Sequence, residues 1–348
     1  MSKVPVAVIG ASGYSGTELL RLLLFHDQAE IVCLTSRQAA GRHLAEEHPR
    51  FRSIEKAESL IFVEPTMDNL KASGAKLAFL ALPHGVAYEF AEPLLAEGWR
   101  VVDLSDDFRV ADAAVYEAFR GVKHPAPQLL EQAVYGLPEI HRKAIKQTNL
   151  VACPGCYPTS MILPMVPLVR EGVVKTDSIC VASMSGVSGA GRKASVPLLY
   201  VECNESVRPY NIPKHRHLAE VEQELSRAAG EPVVISFTPH LVPITQGIAT
   251  TIFVDATLGK GSKDMRIALE DAYRNEPFVR LLDEGVLPDT KHVAGTNFID
   301  IGWVHDSRTG RFVICSAEDN IGKGAASQAI QNFNLMHGMP ETTGIDRV

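Results

Sequence analysis

The sequence has no long hydrophobic run and no excess of positive charge, and each absence excludes a class of function. No apolar run in the 348 residues approaches the roughly 18 that a membrane-spanning helix needs. The first ten residues lead into a strand pattern without the basic start of a signal peptide, so we expect a cytoplasmic protein that does not contact a membrane. Lysine and arginine number 34 against 41 acidic residues, and a net charge of -7 gives no support to nucleic-acid binding.

Cysteine is too sparse and too scattered for a disulfide framework. Only Cys153 and Cys156 form a Cys-x-x-Cys pair, and neither a second such pair nor a close histidine pair accompanies it, so no metal site is expected. The other cysteines lie in or beside apolar stretches, which favours the buried core for Cys33, Cys180, Cys203 and Cys315. The composition, 46% hydrophobic and 22% charged, is that of a globular protein long enough for two domains.

Short apolar runs alternate with helical patterns through the first half of the chain. This alternation is typical of βαβ units on a parallel sheet. The predicted strands are Val4–Ile9, 30–35, 77–82, 101–105 and 150–153, and the predicted helices are 17–25 and 86–97.

The second half is rich in β-branched strands, with few helices between them. Asp306 to Gly310 reads as a hairpin turn between the last two strands, which suggests a mostly antiparallel sheet in an α+β domain. The predicted strands are 179–183, 233–238, Ile248–Asp255, 297–304 and 312–317. A helix over 265–283 is expected to cover one face, and a helix over 324–336 to return to the first domain.

A glycine-rich turn joins the first predicted strand to the first helix. Glycines spaced G-x-x-G-x-x-G let the backbone approach a pyrophosphate at a helix N-terminus, and the context of strand, turn and helix favours dinucleotide binding over a simple tight turn. The candidate cofactor contacts are Gly10, Ser12, Gly13, Tyr14, Ser15 and Gly16, with Pro83 after the strand at 77–82. The first domain is therefore expected to be of the Rossmann type.

Ser36 and Arg37 follow the second strand, where an acidic residue would hold the ribose of NAD. A hydroxyl and a guanidinium suit a 2′-phosphate instead, which favours NADP. The alternative is that Arg37 projects into solvent. A second glycine-rich loop, from Ser185 to Arg192, offers further backbone contacts to a cofactor or phosphate at Ser188 and Gly189.

Cys156 stands at the start of a helix that Pro158 and Thr159 can open. The positive end of a helix favours thiolate over thiol, which makes this cysteine a candidate nucleophile. Pro164 and Pro167 are expected to bend or end the helix early. A thioredoxin-like redox pair and two inert cysteines at a strand end remain alternatives.

Two histidines flank an arginine at His215, Arg216 and His217, just before an amphipathic helix. A histidine is a natural proton donor and acceptor, while an arginine can hold an anion. The alternative is a solvated basic patch. Arg109 follows the strand at 101–105, at the sheet edge where ligands usually bind, and is a candidate clamp for an anionic substrate.

A dinucleotide site, an activated cysteine and a histidine together favour a thiol that captures an acyl group, which a nicotinamide then reduces. The sequence resembles the N-acetyl-gamma-glutamyl-phosphate reductase family, the arginine-biosynthesis branch of the semialdehyde dehydrogenase superfamily. The resemblance covers nearly the whole chain and is carried in order by the glycine turn at 10–16, Asp107-Phe108-Arg109, Tyr135 to Glu139, Pro154 to Thr159, Ser185 to Arg192, His215-Arg216-His217 and Phe237 to His240.

The resemblance implies a role for each site residue. Cys156 would be the nucleophile and His217 the general acid and base, while Arg109, Tyr210 and His215 would shape the anionic substrate site. Asn320 would approach the nicotinamide. The implied reaction is the NADPH-dependent reduction of N-acetylglutamyl 5-phosphate to the 5-semialdehyde with release of phosphate, in a homo-oligomer, commonly a dimer or tetramer.

The expected fold is therefore α/β, with a Rossmann-type NADP-binding domain over residues 1–152 and 319–348. An α+β domain with a mostly antiparallel sheet, over residues 153–318, would serve catalysis and oligomerisation. Related reductases of aspartyl phosphate or of a carrier-linked aminoadipyl phosphate, and a non-catalytic NADP-sensing protein, remain alternatives.

Two positions depart from the family pattern. Cys153 stands three residues before the nucleophile, where the family usually has a residue without a thiol. We hypothesise a reversible disulfide between Cys153 and Cys156 that silences the enzyme under oxidation. Gln246 precedes Gly247 where an arginine is common, so any charge that the family places there is in doubt.

Overall fold

The structure is a computed structural model that describes residues 3–346. The chain divides into two compact units. The first comprises the residues up to Ala113, His124–Pro154 and the residues from Ala325 onward; the second comprises Ala114–Lys123 and Gly155–Gly324. Within the described residues, no helix combines the length and the apolar character that crossing a bilayer requires.

The first unit is built on a seven-stranded sheet in which every pairing is parallel. Its strands are β1 (Val4–Ile9), β2 (Ala29–Thr35), β3 (Phe62–Val63), β4 (Leu77–Leu80), β5 (Arg100–Asp103), β6 (Val134–Tyr135) and β7 (Leu150–Ala152). The spatial order is β3-β2-β1-β4-β5-β7-β6. Strand order reverses between β1 and β4, the position at which parallel sheets bind ligands at the carboxyl ends of their strands.

The second unit contains a seven-stranded mixed sheet, ordered β12-β13-β14-β11-β8-β10-β9. Its strands are β8 (Cys180–Ser185), β9 (Arg208–Pro209), β10 (Ser236–Leu241), β11 (Ile248–Asp255), β12 (Val279–Leu281), β13 (Ile299–Asp306) and β14 (Arg311–Glu318). Four of its six pairings are antiparallel, while β8 with β10 and β12 with β13 are parallel. The predicted fold class is confirmed, including a mostly antiparallel second sheet.

The helices cover the two sheets and connect their strands. In chain order they are α1 (Tyr14–Phe25), α2 (Leu44–Glu47), α3 (Glu55–Glu58), α4 (Met67–Ala72), α5 (Tyr88–Ala96), α6 (Ala113–Arg120), α7 (Pro127–Gln132), α8 (Pro138–Ile145), α9 (Cys156–Arg170), α10 (Tyr200–Cys203), α11 (Leu218–Ala229), α12 (Ser262–Tyr273) and α13 (Ser327–Met336). Single turns of 3-10 helix occur at Pro49–Phe51, Val187–Ala190, Val196–Leu198 and Thr290–His292, and a π-helical turn occupies Gly322–Ala326. As predicted, the C-terminal helix α13 packs in the first unit, against α1, α8 and β5.

Helix α9 runs through both of its prolines, so the prediction that Pro164 and Pro167 would bend or end it early is wrong. A proline lacks the N–H that would bond the carbonyl four residues earlier. Here the Ser160 carbonyl accepts a hydrogen bond from Ser316 Oγ at 2.6 Å, and the Leu163 carbonyl accepts one from Tyr273 Oη. Hydroxyl groups from β14 and α12 thus replace both lost backbone bonds inside the core.

The predicted helix over 265–283 is also wrong in its second half. Helix α12 ends at Tyr273, and Val279–Leu281 forms the edge strand β12. Pro277 disfavours helical backbone in the residue before it. Phe278 and Val279 are buried. The helix prediction had placed these apolar side chains on the buried face of the helix, whereas in the structure they are buried where β12 pairs with β13.

Candidate active site

The glycine turn of the first unit fits the phosphates of a dinucleotide. Gly10 has φ of +87°, and a Cβ there would lie 2.6 Å from Leu82 Cδ2. A Cβ on Gly16 would lie 2.7 Å from Ala11 Cα, whereas around Gly13 the space is open. Among the described residues, no side chain caps the N-terminus of α1 and no acid lies in its first turn. Its N–H groups therefore present a positive helix end to an anion.

Ser36 and Arg37 both follow β2, but they differ in burial and in their hydrogen bonds to neighbouring residues. Ser36 is buried, and its Oγ accepts hydrogen bonds from the Gln38 and Ala39 N–H groups at 3.2 Å each. Arg37 is two-thirds exposed, with Nη2 3.4 Å from Glu89 Oε2. An exposed ion pair of this kind is worth little, so the guanidinium remains accessible to a ligand phosphate.

The turn that contains Pro83 is held from β5. Asp107 accepts hydrogen bonds through its carboxylate from the Gly85 N–H and, at 2.9 Å, from the Ala87 N–H. Asp107 therefore fixes the backbone after β4, a role that sequence reasoning missed. The signal for it was available, because an acid in the loop after a parallel strand can face the neighbouring turn at the same sheet edge.

Arg109 is buried in the first unit, and its Nη2 donates to the Leu104 carbonyl at 2.9 Å. Nearby Cys153 is also buried, and this burial raises the pKa of its thiol to about 12. A thiol that stays protonated at neutral pH is a poor attacking group. Cys153 and Cys156 are both free cysteines here, and the regulatory disulfide between them stays a prediction.

Asp103, at the end of β5, is fully buried and accepts hydrogen bonds from the Ser105 N–H at 3.0 Å and Oγ at 2.7 Å. Burial, and then the charge of Asp107, raise the pKa of this carboxyl from 3.8 to about 7. The folded protein therefore keeps a proton up to about pH 7 that the unfolded chain loses near pH 4.

We expect the free energy of unfolding to fall as the pH rises from about 4 to about 7, by at most about 4 kcal/mol from this group. Asp103→Asn should remove that part of the pH dependence. Urea unfolding of both proteins at pH 5 and pH 7.5 measures it; an equal change of stability with pH in the two proteins would contradict the assignment.

In the second unit, Cys156 is the first residue of α9, as the sequence predicted. The helix begins after Gly155, and among the described residues no side chain caps it. Gly324, in the π-helical turn, packs directly on the cysteine: a Cβ there would lie 2.8 Å from Cys156 Cβ and 3.1 Å from Oε1 of the buried Glu318. Cys156 is thus held at a positive helix end by close backbone contact.

His217 lies beside the residue that precedes the cysteine. A Cβ on Gly155 would lie 2.6 Å from His217 Nε2, so glycine is needed for the imidazole to approach. Glu220, buried one turn along α11, has Oε1 4.0 Å from His217 Nε2 and accepts a hydrogen bond from the Gly155 N–H through Oε2 at 2.9 Å. The Glu220 carboxylate therefore links the start of α11, where His217 lies, to the Gly155 N–H directly before Cys156.

His215 packs against His217, with ring centroids 4.7 Å apart, and its Nδ1 accepts a hydrogen bond from the His217 N–H at 3.2 Å. Burial, and then the charge of Arg216, lower the pKa of His215 to about 4. His215 is thus neutral at physiological pH and cannot supply a positive charge to a substrate. Both histidines line one cavity.

Two tyrosine hydroxyls lie in the same cavity as these histidines. Tyr210 Oη donates to Tyr157 Oη at 2.9 Å, and Tyr157 Oη lies 3.4 Å from the His240 carbonyl. Burial raises the pKa of both phenols, that of Tyr210 to about 12. Both groups therefore act as neutral hydrogen-bonding groups.

A cavity of about 370 Å³ in the second unit brings these groups together. Of the predicted site residues it contains Cys156, Gly189, Tyr210, His215 and His217. The other lining residues are Tyr157, Ser185, Ala190, Pro197, Leu198, Arg208, Asn211, Arg216 and Leu241. A nucleophile, an imidazole and two guanidinium groups in one cavity suit attack on an anionic acyl compound.

Two predicted cofactor contacts of the second unit, Ser188 and Asn320, are joined by a hydrogen bond. Asn320 Nδ2 donates to Ser188 Oγ at 3.0 Å, and Asn320 Oδ1 accepts a hydrogen bond from the Gly247 N–H at 2.6 Å. The neighbouring Gln246 Nε2 donates to Asp319 Oδ2 at 2.6 Å. The uncharged Gln246 thus binds an acid that an arginine at this position would also meet.

Two family models match the chain in its two halves. Residues 5–148 match "Semialdehyde dehydrogenase, NAD binding domain", and residues 156–320 match "Semialdehyde dehydrogenase, dimerisation domain". The chain belongs to the semialdehyde dehydrogenase family. The Rossmann-type first unit is therefore a nucleotide-binding domain of this family, and the second sheet belongs to its dimerisation domain.

Curated relatives match over nearly their whole length. A protein named N-acetyl-gamma-glutamyl-phosphate reductase from Akkermansia muciniphila is 53% identical over 345 residues, 99% of each chain. One of the same name from Pelotomaculum thermopropionicum is 46% identical over 98% of this chain and 97% of its own.

Solved structures support the fold. Aspartate semialdehyde dehydrogenase II from Vibrio cholerae, complexed with ASA, matches with a TM-score of 0.72 at 17% identity, over 97% of this chain and 99% of its own. The Candida albicans aspartate semialdehyde dehydrogenase with NADP matches with the same score at 16% identity and the same coverage.

Proposed function

We propose that this protein reduces N-acetylglutamyl 5-phosphate with NADPH to N-acetylglutamate 5-semialdehyde, NADP and phosphate, in arginine biosynthesis. The observation that carries the proposal is Cys156 at the start of α9, in one cavity with His217 and two arginines. The names of full-length relatives at 46% and 53% identity support the substrate.

In the proposed reaction, the Cys156 thiolate attacks the acyl carbon, and the C–O bond to phosphate breaks. Backbone N–H groups at the start of α9 stabilise the oxyanion before phosphate leaves and a thioester forms. Bound NADPH supplies the hydride that reduces this thioester. His217 gives a proton to the developing alkoxide, and takes it back as the C–S bond breaks to release the aldehyde and regenerate the thiolate.

The binding residues divide between neutral and charged groups. Tyr210 and neutral His215 offer hydrogen bonds to the substrate in the cavity. The role of Arg109 as a clamp for an anionic group stays a prediction. Glu220 acts through His217 and Gly155 and is a positioning residue.

The test is an assay that follows NADPH absorbance at 340 nm in the purified protein. NADPH oxidation with N-acetylglutamyl phosphate, with release of one phosphate per NADPH, is the expected result. Aspartyl phosphate and a carrier-linked aminoadipyl phosphate serve as comparison substrates. Preference for either of these, or NADPH binding without turnover on any of the three, would overturn the proposal.

NADP preference rests on Arg37, because its exposed guanidinium can donate two hydrogen bonds to a 2′-phosphate. We expect Arg37→Gln to lower the ratio of kcat/KM for NADPH to kcat/KM for NADH by roughly tenfold. Glu89→Gln is the matched control, since it removes the partner of Arg37 and should keep or raise the ratio. An unchanged ratio in Arg37→Gln would mean that the 2′-phosphate is recognised elsewhere.

The proposal assigns residues 1–152 and 319–348 to cofactor binding and residues 153–318 to catalysis and homo-oligomerisation, as a dimer or tetramer. One face of the second sheet supports self-association, because Phe253 lies opposite Cys180 on one side and Val313 on the other, and Val313 lies opposite Val304. Phe253 and Val304 are more than one-third exposed on this face, and apolar side chains of this size are usually covered.

A further inference from the structure

Two guanidinium groups line the cavity beside Cys156. Arg208 and Arg216 line it together with two histidines, and no aspartate or glutamate is among the described residues of its wall. Positive charge on the wall of a partly desolvated cavity favours an anionic group on the ligand.

Arg208 is held in place by neutral groups. It lies on β9, opposite Leu241 of β10, which also lines the cavity. Its Nη2 donates to the carbonyl of Pro197, in the 3-10 turn of the same wall. A carbonyl orients the guanidinium but leaves its charge intact, and in the described part of the chain no carboxylate lies within 4.0 Å of it. Four of its five N–H donors remain for a ligand.

Arg216 has a different local role. It stands between the two histidines and helps to lower the pKa of His215, after burial, so part of its effect is to keep that imidazole neutral. Arg208 lies outside the histidine segment, and a neutral carbonyl orients its guanidinium at the cavity wall, which makes it the better candidate for direct contact with an anion.

We propose that Arg208 binds the substrate carboxylate that is remote from the reacting carbonyl and thereby determines substrate specificity. This inference rests on the proposed function, in which the substrate carries an α-carboxylate as well as the acyl phosphate. The phosphate is the other anion with the same chemistry, so the experiment must separate the two.

The reverse reaction separates them, because aldehyde and inorganic phosphate are then independent substrates. The two aldehydes to compare are N-acetylglutamate 5-semialdehyde and 4-acetamidobutanal, which lacks only the carboxylate. Arg208→Gln should lower the ratio of their kcat/KM values, carboxylated over neutral, by roughly tenfold to a hundredfold. Arg208→Lys should recover part of it, because the charge stays and the bidentate geometry is lost.

A rise in the KM for phosphate, or equal losses on both aldehydes, would overturn the carboxylate assignment. Arg274→Gln is the matched control, because Arg274 is exposed directly after α12 and pairs with Asp271 outside the cavity. In Arg274→Gln the ratio of kcat/KM for the carboxylated aldehyde to kcat/KM for the neutral aldehyde should equal that of the parent protein.

Alkylation of Cys156 gives a readout that needs no turnover. Iodoacetate carries the carboxylate and iodoacetamide does not, and the rate of modification at Cys156 can be followed by mass spectrometry. Arg208→Gln should slow iodoacetate relative to iodoacetamide by a factor of several. An unchanged rate ratio would contradict anion binding by Arg208. The parent protein could also turn over neither aldehyde and yet show a preference for iodoacetate that depends on Arg208. That result would reject the proposed function and keep the anion site.

Discussion

Cys156→Ser should lower turnover by at least about 1,000-fold while NADPH binding is retained. A serine hydroxyl does not ionise at neutral pH, so the start of α9 no longer presents an anionic nucleophile and no thioester forms. The glycine turn belongs to the first unit and Cys156 to the second, and the substitution changes no residue of that turn.

The measurement combines the NADPH oxidation assay with a cofactor titration by fluorescence. Cys153→Ser is the matched control three residues away, because Asn332 Nδ2 lies 3.8 Å from the Cys153 sulfur and can donate to a serine hydroxyl. It should turn over at a rate within a few-fold of the parent. Substantial turnover in Cys156→Ser would show that catalysis does not pass through this sulfur.

Gly324→Ala should lower kcat/KM by roughly a hundredfold without unfolding the protein. The added methyl would lie 2.8 Å from Cys156 Cβ and 3.2 Å from Cys156 Cα, so the Cys156 side chain and its backbone must move. A displacement of about 1 Å at a reacting atom is enough for a loss of this size. The effect should fall mainly on kcat and on the alkylation rate of Cys156.

Gly261→Ala is the control for a glycine-to-alanine change in the same unit, since a Cβ there meets open space. Circular dichroism and a thermal unfolding curve show whether each variant is folded. A folded Gly324→Ala protein with parental kcat/KM would mean that the π-helical turn does not hold the cysteine in its reactive position.

Sequence patterns were sufficient to predict features that depend on residues close together in the chain. The glycine turn at 10–16 and the place of Cys156 at a helix start follow from the spacing of glycine, proline and apolar residues over about ten positions. The structure places both at the predicted ends of β1 and α9. The Rossmann-type sheet was predictable for the same reason, because each βα unit carries its own pattern.

Local rules failed where a tertiary contact replaced a local interaction. The continuity of α9 depends on hydroxyls of Ser316 and Tyr273, each more than one hundred residues away in the chain. Helix propensity includes the destabilisation of a helix by Pro164 and Pro167, but it does not include the tertiary hydrogen bonds that compensate for it.

The amino-acid order alone determined the fold class, the glycine-rich turn and the candidate nucleophile, because these are encoded by residue types at short separations. The choice of His217 over His215 came from the family resemblance. Only the tertiary structure brought Glu220 to the Gly155 N–H, Gly324 to Cys156 and Arg208 to the cavity wall. Those contacts join segments far apart in the chain, and burial and electrostatic pairing at such distances arise only when the core has closed around them.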